Sequence, residues 1–336
     1  MLIESNKDMK RLAINGFGRI GRHVMRMLIE DKNVEVVAIN DLVDPKILAH
    51  LLEFDTVYGP VRGHEISANS NAIIIDGKEI RVFASKDPSA LPWKELEVDV
   101  VLECSGKFRD REGAGLHLQA GAKKVLISAP AGGDIKNIVF GVNDQDIKAE
   151  DDVVSAASCT TNCLAPMMHV LHENFKIEKG YIATTHAYTG DQRLLDAPHS
   201  DFRRARAAAV NMVPTSTGAA KAIGKVIPAL AGKLDGSAIR VPVPSGSLTE
   251  ATILIDGETT AEEVNAMMKK SAEGPLAGVL EFSVKPLVSS DILGNHHSCI
   301  FDSELTRANG NLIRIFGWYD NEVGYSSRMI DVLKLL

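Results

Sequence analysis

The chain has 336 residues, 45% of them apolar and 24% charged, and a formal net charge of −7. That length suits two domains, each large enough to bury a core, and that composition excludes disorder. The acidic balance excludes a general nucleic-acid binder, which needs an excess of Lys and Arg, so an anionic ligand would require a locally positive pocket.

In chain order, residues 11–15 predict a buried strand. Residues 19–30 predict a helix, with Ile20, Val24, Met27 and Leu28 at helical spacing. Strands follow at 34–40, 72–75, 98–103 and 124–128, with a helix at 46–54. Strand and helix in alternation imply a parallel sheet with crossover helices. Beyond Cys159 the pattern changes: helices at 160–174, 260–271 and 321–335, and longer, fewer strands at 181–186, 238–242, 250–255 and 312–318. The expected fold class is α/β: a Rossmann-type parallel-sheet domain over 1–158, then an α+β domain over 159–320 with a mostly antiparallel sheet and helices on one face.

The first motif is Gly16-Phe17-Gly18-Arg19-Ile20-Gly21, which leaves a strand and opens a helix. In a dinucleotide site Gly16 permits the tight turn, Gly18 lets backbone approach a pyrophosphate, and Gly21 lets helix and strand pack closely. Asp41 ends the second strand about 20 residues on, where a carboxylate accepts from a ribose 2′-OH and repels a 2′-phosphate. The plainer readings are a strand-to-helix turn for the glycines and an N-cap or Asx-turn before Asp44-Pro45 for Asp41.

The second constellation is Ser158-Cys159-Thr160-Thr161-Asn162-Cys163 with His186, a lone polar residue in an apolar strand. A free thiol is mostly protonated near neutral pH and needs a base or a positive field to become a nucleophile. His186 offers the base, and the helix opening at Cys159 offers a dipole and free amides. Against this stand a core His satisfied by a carbonyl, a small buried thiol at Cys163, and Pro166, which must cost that helix a hydrogen bond or kink it. The four cysteines show neither a disulfide framework nor zinc spacing, so no metal is expected. With no apolar run of 18 residues and a polar opening, MLIESNKDMKR, read as a short frayed leader, they give the expectation of a cytoplasmic protein away from membranes.

Hydroxyls and amides gather at Ser158, Thr160, Thr189-Gly190-Asp191 and Ser216-Thr217-Gly218, with Arg240 at a strand end. Short donors around an Arg suit phosphate, although Thr and Gly in loops also serve simply as turn formers. Between His186 and Pro214 runs an irregular segment with Arg193, Arg203, Arg204 and Arg206. It reads either as functional, because long loops in compact proteins usually are, or as a solvated basic face with a short helix through 203–209.

With these motifs in view, the sequence closely resembles the phosphorylating glyceraldehyde-3-phosphate dehydrogenases. The resemblance rests on NGFGRIGR at 15–22, ASCTTNC at 157–163, THAYTGDQ at 185–192, RRARAAA at 203–209, STGAAKA at 216–222 and WYDNEVGYSSR at 318–328, and leaves out only the first ten residues. It implies a glycolytic and gluconeogenic oxidoreductase in which Cys159 attacks the aldehyde of glyceraldehyde 3-phosphate and His186 activates the thiol. NAD takes the hydride, and inorganic phosphate releases 1,3-bisphosphoglycerate from a thioester. It further implies two anion sites drawn from Ser158, Thr160, Thr189, Thr217, Gly218 and Arg240. For the cofactor it implies Arg19 and Ile20 at the pyrophosphate, Asp41 at the adenosine ribose, Lys86 and Ser128 along the groove, and Asn321 beside the nicotinamide carboxamide. The helix 321–336 would return to the first domain, and the segment after His186 would pack in the core of a homotetramer.

One departure concerns specificity. Many NAD-specific relatives carry Leu-Pro in that segment and NADP-using ones Ala-Ser, whereas this chain has Ala197-Pro198, which implies NAD preference with some tolerance of NADP. Two rivals remain. An erythrose-4-phosphate dehydrogenase tends to lose the Thr-Gly-Asp and Ser-Thr-Gly patterns, both intact here, and a non-catalytic dinucleotide-binding or adhesion protein has no need of both Cys159 and His186.

Overall fold

A computed structural model describes residues 9–336. The leader read at the N-terminus lies, through residue 8, outside the described residues. The chain divides into two compact units. The first comprises residues up to Asn137, Ile147–Ala156 and Met329–Leu336, and the second Ile138–Asp146 with Ala157–Arg328. The division falls two residues before the boundary expected at 158/159, and a short excursion, Ile138–Asp146, belongs to the second unit.

The first unit is a nine-stranded sheet. Its centre is β1 (Lys10–Asn15), flanked by β2 (Val34–Asn40) on one side and by β6 (Val100–Glu103) on the other, all parallel. Beyond β2 lie three strands that turn back as an antiparallel meander, β3 (Ile66–Ala68), β4 (Ala72–Ile75) and β5 (Lys78–Phe83), with β5 parallel to β2. Beyond β6 lie β7 (Lys124–Ile127), β9 (Val153–Ser155) and β8 (Lys136–Asn137). Leu12, Ala13 and Ile14 are fully buried, which explains why β1 reads as an unbroken apolar run: helices cover both faces of a parallel sheet. Chain order reverses at β1, so a crevice opens at its carboxyl end.

The helices are α1 (Arg19–Leu28), α2 (Pro45–Glu53) and α3 (Arg111–Gln119). Helix α1 ends two residues before the expected Glu30, and its buried face runs through Gly21, Val24, Met25 and Leu28. Met27 and Ile20 are only partly covered, because helical spacing alone does not fix which of two adjacent apolar stripes meets the sheet. Asp44, accepting from the Lys46 amide, caps α2 with Pro45 in its first turn. The first strand expected at 98–103 starts at Val100, and that at 124–128 stops at Ile127.

The second unit is an eight-stranded sheet under three helices. Helix α4 (Cys159–Phe175) leads into β10 (Ile177–Ala187), then β11 (Val213–Ser216), α5 (Ala219–Val226), β12 (Leu234–Val241), β13 (Ser247–Ile255) and α6 (Ala261–Ala272). The strands β14 (Leu280–Ser283), β15 (Cys299–Asp302), β16 (Arg307–Asn309) and β17 (Leu312–Tyr319) complete it. Pairing is mostly antiparallel; β10 with β12 and β14 with β15 are parallel. β13 alternates buried and half-buried residues along its length, as expected of a sheet covered on one face. The core joins Leu164, Met167, Met168 and Leu171 of α4 to Ile253, Ile313 and Ile315. Pro166 sits inside α4, which runs on for 17 residues. The last helix, α7 (Val323–Leu335), starts two residues after the expected Asn321, and its residues from Met329 belong to the first unit.

No helix among the described residues is long and apolar enough to cross a membrane, and no cluster of metal-ligating side chains occurs among them.

Candidate functional site

In the first unit a cavity of about 350 Å³ opens at the carboxyl ends of β1 and β2, lined among others by Gly16, Gly18, Asp41 and Lys86. The three glycines of the first motif have different local reasons. Gly16 has φ +91°, and a Cβ there would lie 2.5 Å from the Ser105 amide nitrogen; a Cβ on Gly21 would lie 2.4 Å from the Gly16 carbonyl oxygen. Gly18 has open space where its Cβ would stand. Two glycines are thus demanded by packing, and the third bares backbone to the cavity. Gly18 caps α1 without a side-chain hydrogen bond and lines the cavity, so the N-terminus of α1, with its partial positive charge, stands at the cavity wall where an anion would be held. These features fit a dinucleotide: a pyrophosphate at the start of α1 and a ribose at Asp41.

Asp41 Oδ2 accepts from the Phe17 amide at 2.7 Å and Oδ1 from the Val43 amide at 3.1 Å. The Asx-turn reading therefore holds, and the N-cap reading does not, because Asp44 is the cap. The Arg19 guanidinium is paired with Asp55. Ser128 donates its amide to the Glu103 carbonyl at 2.9 Å, its hydroxyl turns toward Cys104, and it does not line the cavity.

In the second unit the structure brings Cys159 and His186 together: Sγ and Nε2 are 3.5 Å apart. Cys159 is the first residue of α4, and Ser158 is its N-cap, accepting from the Thr161 amide at 3.1 Å. His186, next to last in β10, is buried, and its Nδ1 lies 2.7 Å from the Ala187 carbonyl oxygen. A carbonyl accepts only, so Nδ1 carries the proton and Nε2 presents a lone pair to the sulfur. The carbonyl-satisfied His and the thiol partner are one residue, not alternatives.

Burial raises the Cys159 thiol above its ordinary value, opposed first by the Arg240 charge and then by Thr160. Burial, with Arg240 adding to it, lowers His186 to about 3. The sequence reading let the helix dipole and His186 decide in favour of the thiolate; in the folded chain desolvation opposes both charged forms. Nε2 is aimed at the sulfur as the acceptor of its proton.

His186 and Arg240 are register partners across the parallel β10–β12 pair. Arg240 Nη1 donates to the Ala187 carbonyl at 3.2 Å and to Thr189 Oγ1 at 3.1 Å. Its Nε is buried without a hydrogen-bond partner. A mostly buried guanidinium with an unused donor suits an anion. Thr160 Oγ1 is 2.9 Å from Tyr319 Oη. Thr217 and Gly218 lie instead at the start of α5, where Thr217 Oγ1 accepts from the Ala219 amide at 3.2 Å. The six hydroxyl, glycine and Arg candidates thus form separate groups on α4, on β10 with β12, and on α5. Asn321 Oδ1 accepts from the Ser247 hydroxyl at 2.8 Å and the Gly246 amide at 3.2 Å, which fixes the amide and leaves Nδ2 as its donor.

Two residues were missed from sequence. Tyr319 packs edge-on to His186, ring centres 6.0 Å apart, and Ser247 Oγ accepts from the Ala187 amide at 3.1 Å. Tyr319 sits in a motif already noted, at the end of a strand; Ser247 has no local signal. The segment after His186 contains no helix through 203–209. It is a run of turns closed by a 3₁₀ turn at Ala208–Val210, and three of its four arginines are bonded within it: Arg204 Nη1 donates to Asp191 at 2.6 Å, Arg206 Nε to Asp196 at 2.8 Å, and Arg193 Nε to the Pro198 carbonyl at 2.9 Å, while Arg203 is exposed. The short helix is thereby corrected, while Arg203 and Arg206 remain on an exposed face.

Comparison with known proteins gives two family matches. Residues 10–111 match the glyceraldehyde 3-phosphate dehydrogenase NAD binding domain, and residues 158–321 match the glyceraldehyde 3-phosphate dehydrogenase C-terminal domain. The chain is 56% identical to glyceraldehyde-3-phosphate dehydrogenase of Thermotoga maritima over 331 residues, covering 98% of this chain and 99% of that one. It is 54% identical to that of Kitasatospora aureofaciens over 98% of this chain and 99% of the relative, and 52% identical to that of Clostridium acetobutylicum over 97% and 98%.

Proposed function

The chain belongs to the glyceraldehyde 3-phosphate dehydrogenase family, and from that premise we propose that it oxidises glyceraldehyde 3-phosphate with NAD and inorganic phosphate to 1,3-bisphosphoglycerate, using Cys159 and His186. The observation that supports these roles is the 3.5 Å approach of Sγ to a His186 nitrogen whose tautomer is set by the Ala187 carbonyl.

Cys159 Sγ attacks the aldehyde carbon as its proton passes to Nε2, giving a thiohemiacetal. The amides at the start of α4 stabilise the oxygen that gains charge, and the imidazolium returns its proton to that oxygen, which leaves a thiohemiacetal hydroxyl and a neutral Nε2. His186 then takes the hydroxyl proton as the carbon is oxidised to a thioester on Sγ. NAD supplies the hydride acceptor. Phosphate oxygen attacks the thioester carbon, the C–S bond breaks, and the acyl phosphate leaves with the thiol restored. Arg240 and Thr189 hold one phosphate group and Thr217 with Gly218 another, with Ser158 and Thr160 assisting at α4. For the cofactor, the start of α1 at Arg19 and Ile20 would take the pyrophosphate and Asp41 the adenosine ribose, with Lys86 along the groove; the resemblance adds Ser128, which does not line this cavity, and Asn321 for the nicotinamide carboxamide.

A homotetramer and a cytoplasmic location belong to the same reading. The segment after β10 exposes Leu194, Leu195 and Phe202, the last at 88%, an apolar surface of the kind that a second copy covers. Four free cysteines suit a reducing compartment. Asp41 favours NAD and the small Ala197 leaves tolerance of NADP; steady-state kinetics with equal or better efficiency for NADP would reject that preference.

The deciding experiment follows NADH absorbance with glyceraldehyde 3-phosphate, with and without inorganic phosphate, and with erythrose 4-phosphate in parallel. Phosphate-dependent turnover is expected. Turnover indifferent to phosphate, or faster with the four-carbon substrate, rejects the reading.

A further inference from the structure

Under the cavity of the first unit lies a buried carboxylate that the reaction does not use. Glu103, the last residue of β6, is 1% exposed, and His117 of α3 is fully buried. Glu103 Oε1 accepts from the Ser105 amide at 2.8 Å and is 2.5 Å from its hydroxyl. Oε2 accepts from Asn15 Nδ2 at 2.5 Å and is 3.1 Å from His117 Nε2. The tautomer of His117 is set from behind. The indole N–H of Trp93, which can only donate, meets Nδ1 at 3.0 Å, so Nδ1 holds the lone pair and Nε2 carries the proton. Glu103 is thereby an acceptor for donors on every side.

The same chain of bonds reaches the cavity wall. Asn15 Oδ1 accepts from Asn40 Nδ2 at 2.7 Å, and Asn40 Oδ1 accepts from the Ser85 amide at 2.9 Å. Asn15, Asn40, Ser85 and Ser105 all line the cavity. Gly16 is pressed against Ser105, so the turn that presents the α1 amides rests on the residue that Glu103 holds.

We propose that Glu103 is a positioning residue for dinucleotide binding: it fixes Asn15 and Ser105, and through them the wall formed by Gly16, Asn40 and Ser85. The inference rests on the reading of this cavity as the NAD site. A glutamine at 103 has the same shape but brings an NH₂ where only acceptors fit, so one of the four donors meets another donor and the wall must shift.

The test titrates NAD into the full-length protein by calorimetry. Glu103→Gln is expected to weaken NAD binding about tenfold, the size of one buried donor left unpaired, with kcat at saturating NAD within twofold. Trp93→Phe, at the far end of the network, is expected to lower Tm and leave Kd within twofold. The ¹⁵N shifts of His117 in the parent should report Nε2–H. The inference is overturned by an unchanged Kd in Glu103→Gln, by equal weakening in Trp93→Phe, which would mean general core damage, or by the opposite tautomer. Should Glu103→Gln not fold, Glu103→Asp, which keeps the charge and loses the reach, takes the same expectation. Failure of both to fold makes Glu103 a determinant of folding and overturns the inference too. A parent protein that binds no NAD overturns the cofactor reading and this inference together; a parent that binds while the variants are unaffected overturns the inference alone.

Discussion

Replacing His186 by Asn isolates the proton acceptor from the scaffold. The Asn side-chain NH₂ occupies about the place of the imidazole Nδ1, so the bond to the Ala187 carbonyl, 2.7 Å in the parent, is retained while Nε2, 3.5 Å from Sγ, is lost. What remains is a thiol raised by burial, opposed by Arg240 and Thr160 but with no base beside it. A positioned general base contributes about 10²- to 10⁴-fold, or about 3–5 kcal/mol of barrier. Turnover should fall by that range, and the pH profile of Cys159 alkylation should move to higher pH, because the proton must now leave to solvent. Iodoacetamide inactivation rates from pH 5 to 10, read with single-turnover NADH formation, measure both. An alkylation profile that superimposes on the parent's, or turnover within tenfold of it, would refute the pairing even though the two atoms lie close together.

Three further outcomes follow from other parts of the structure. Arg240→Ala should raise KM for the phosphorylated substrate about 10- to 100-fold, the worth of one charge-assisted hydrogen bond, and change kinetics little with glyceraldehyde lacking phosphate; equal losses on both would assign Arg240 to the scaffold. Gly21→Ala and Gly18→Ala should separate fold from ligand. The first puts a methyl 2.4 Å from the Gly16 carbonyl oxygen and should cost about 1–3 kcal/mol of stability, while the second meets nothing within 4 Å and should leave Tm unchanged but raise Kd for NAD at least tenfold. Comparable Tm losses in both would contradict the assignment. For Asp55, burial raises the carboxyl, but the Arg19 bond and the Val57 and Tyr58 amides hold it at about 2, below the ordinary 3.8. The folded state therefore binds fewer protons than the unfolded one between those values, so this stabilisation is present above pH 4 and lost as pH falls toward 2. The stability difference between parent and Asp55→Asn should shrink over that window in denaturant titrations; a difference independent of pH would exclude ionic pairing.

Much of the architecture could be read directly because local pattern and final environment agree. Leu12-Ala13-Ile14 is apolar without alternation, which matches burial on both faces, and the glycine motif sits between a strand and a helix as its geometry requires. Where two faces compete locally, sequence misjudged: the periodicity of α1 pointed to Met27, and the sheet took Met25. The meander at Ile66–Phe83 was seen only as one strand, and α3, with Gly113 and Gly115 inside it, gave too weak a helical signal. Arg204 and Arg206 looked unpaired because their carboxylates, Asp191 and Asp196, are joined to them only by the folding back of the loop.

Sequence by itself determined which chemistry this chain can perform, since the thiol, the imidazole, the glycine turn and the acidic residue after the second strand are covalent facts that lie in recognisable local settings. The tertiary structure alone decided how those groups are charged and aimed. The His186 tautomer comes from the next residue's carbonyl, its proton affinity from burial beside Arg240 on an adjacent strand, and the acceptor role of Glu103 from an indole on another segment. Dielectric and hydrogen-bond direction depend on neighbours brought together across tens of residues, and no pattern along the chain encodes them one residue at a time.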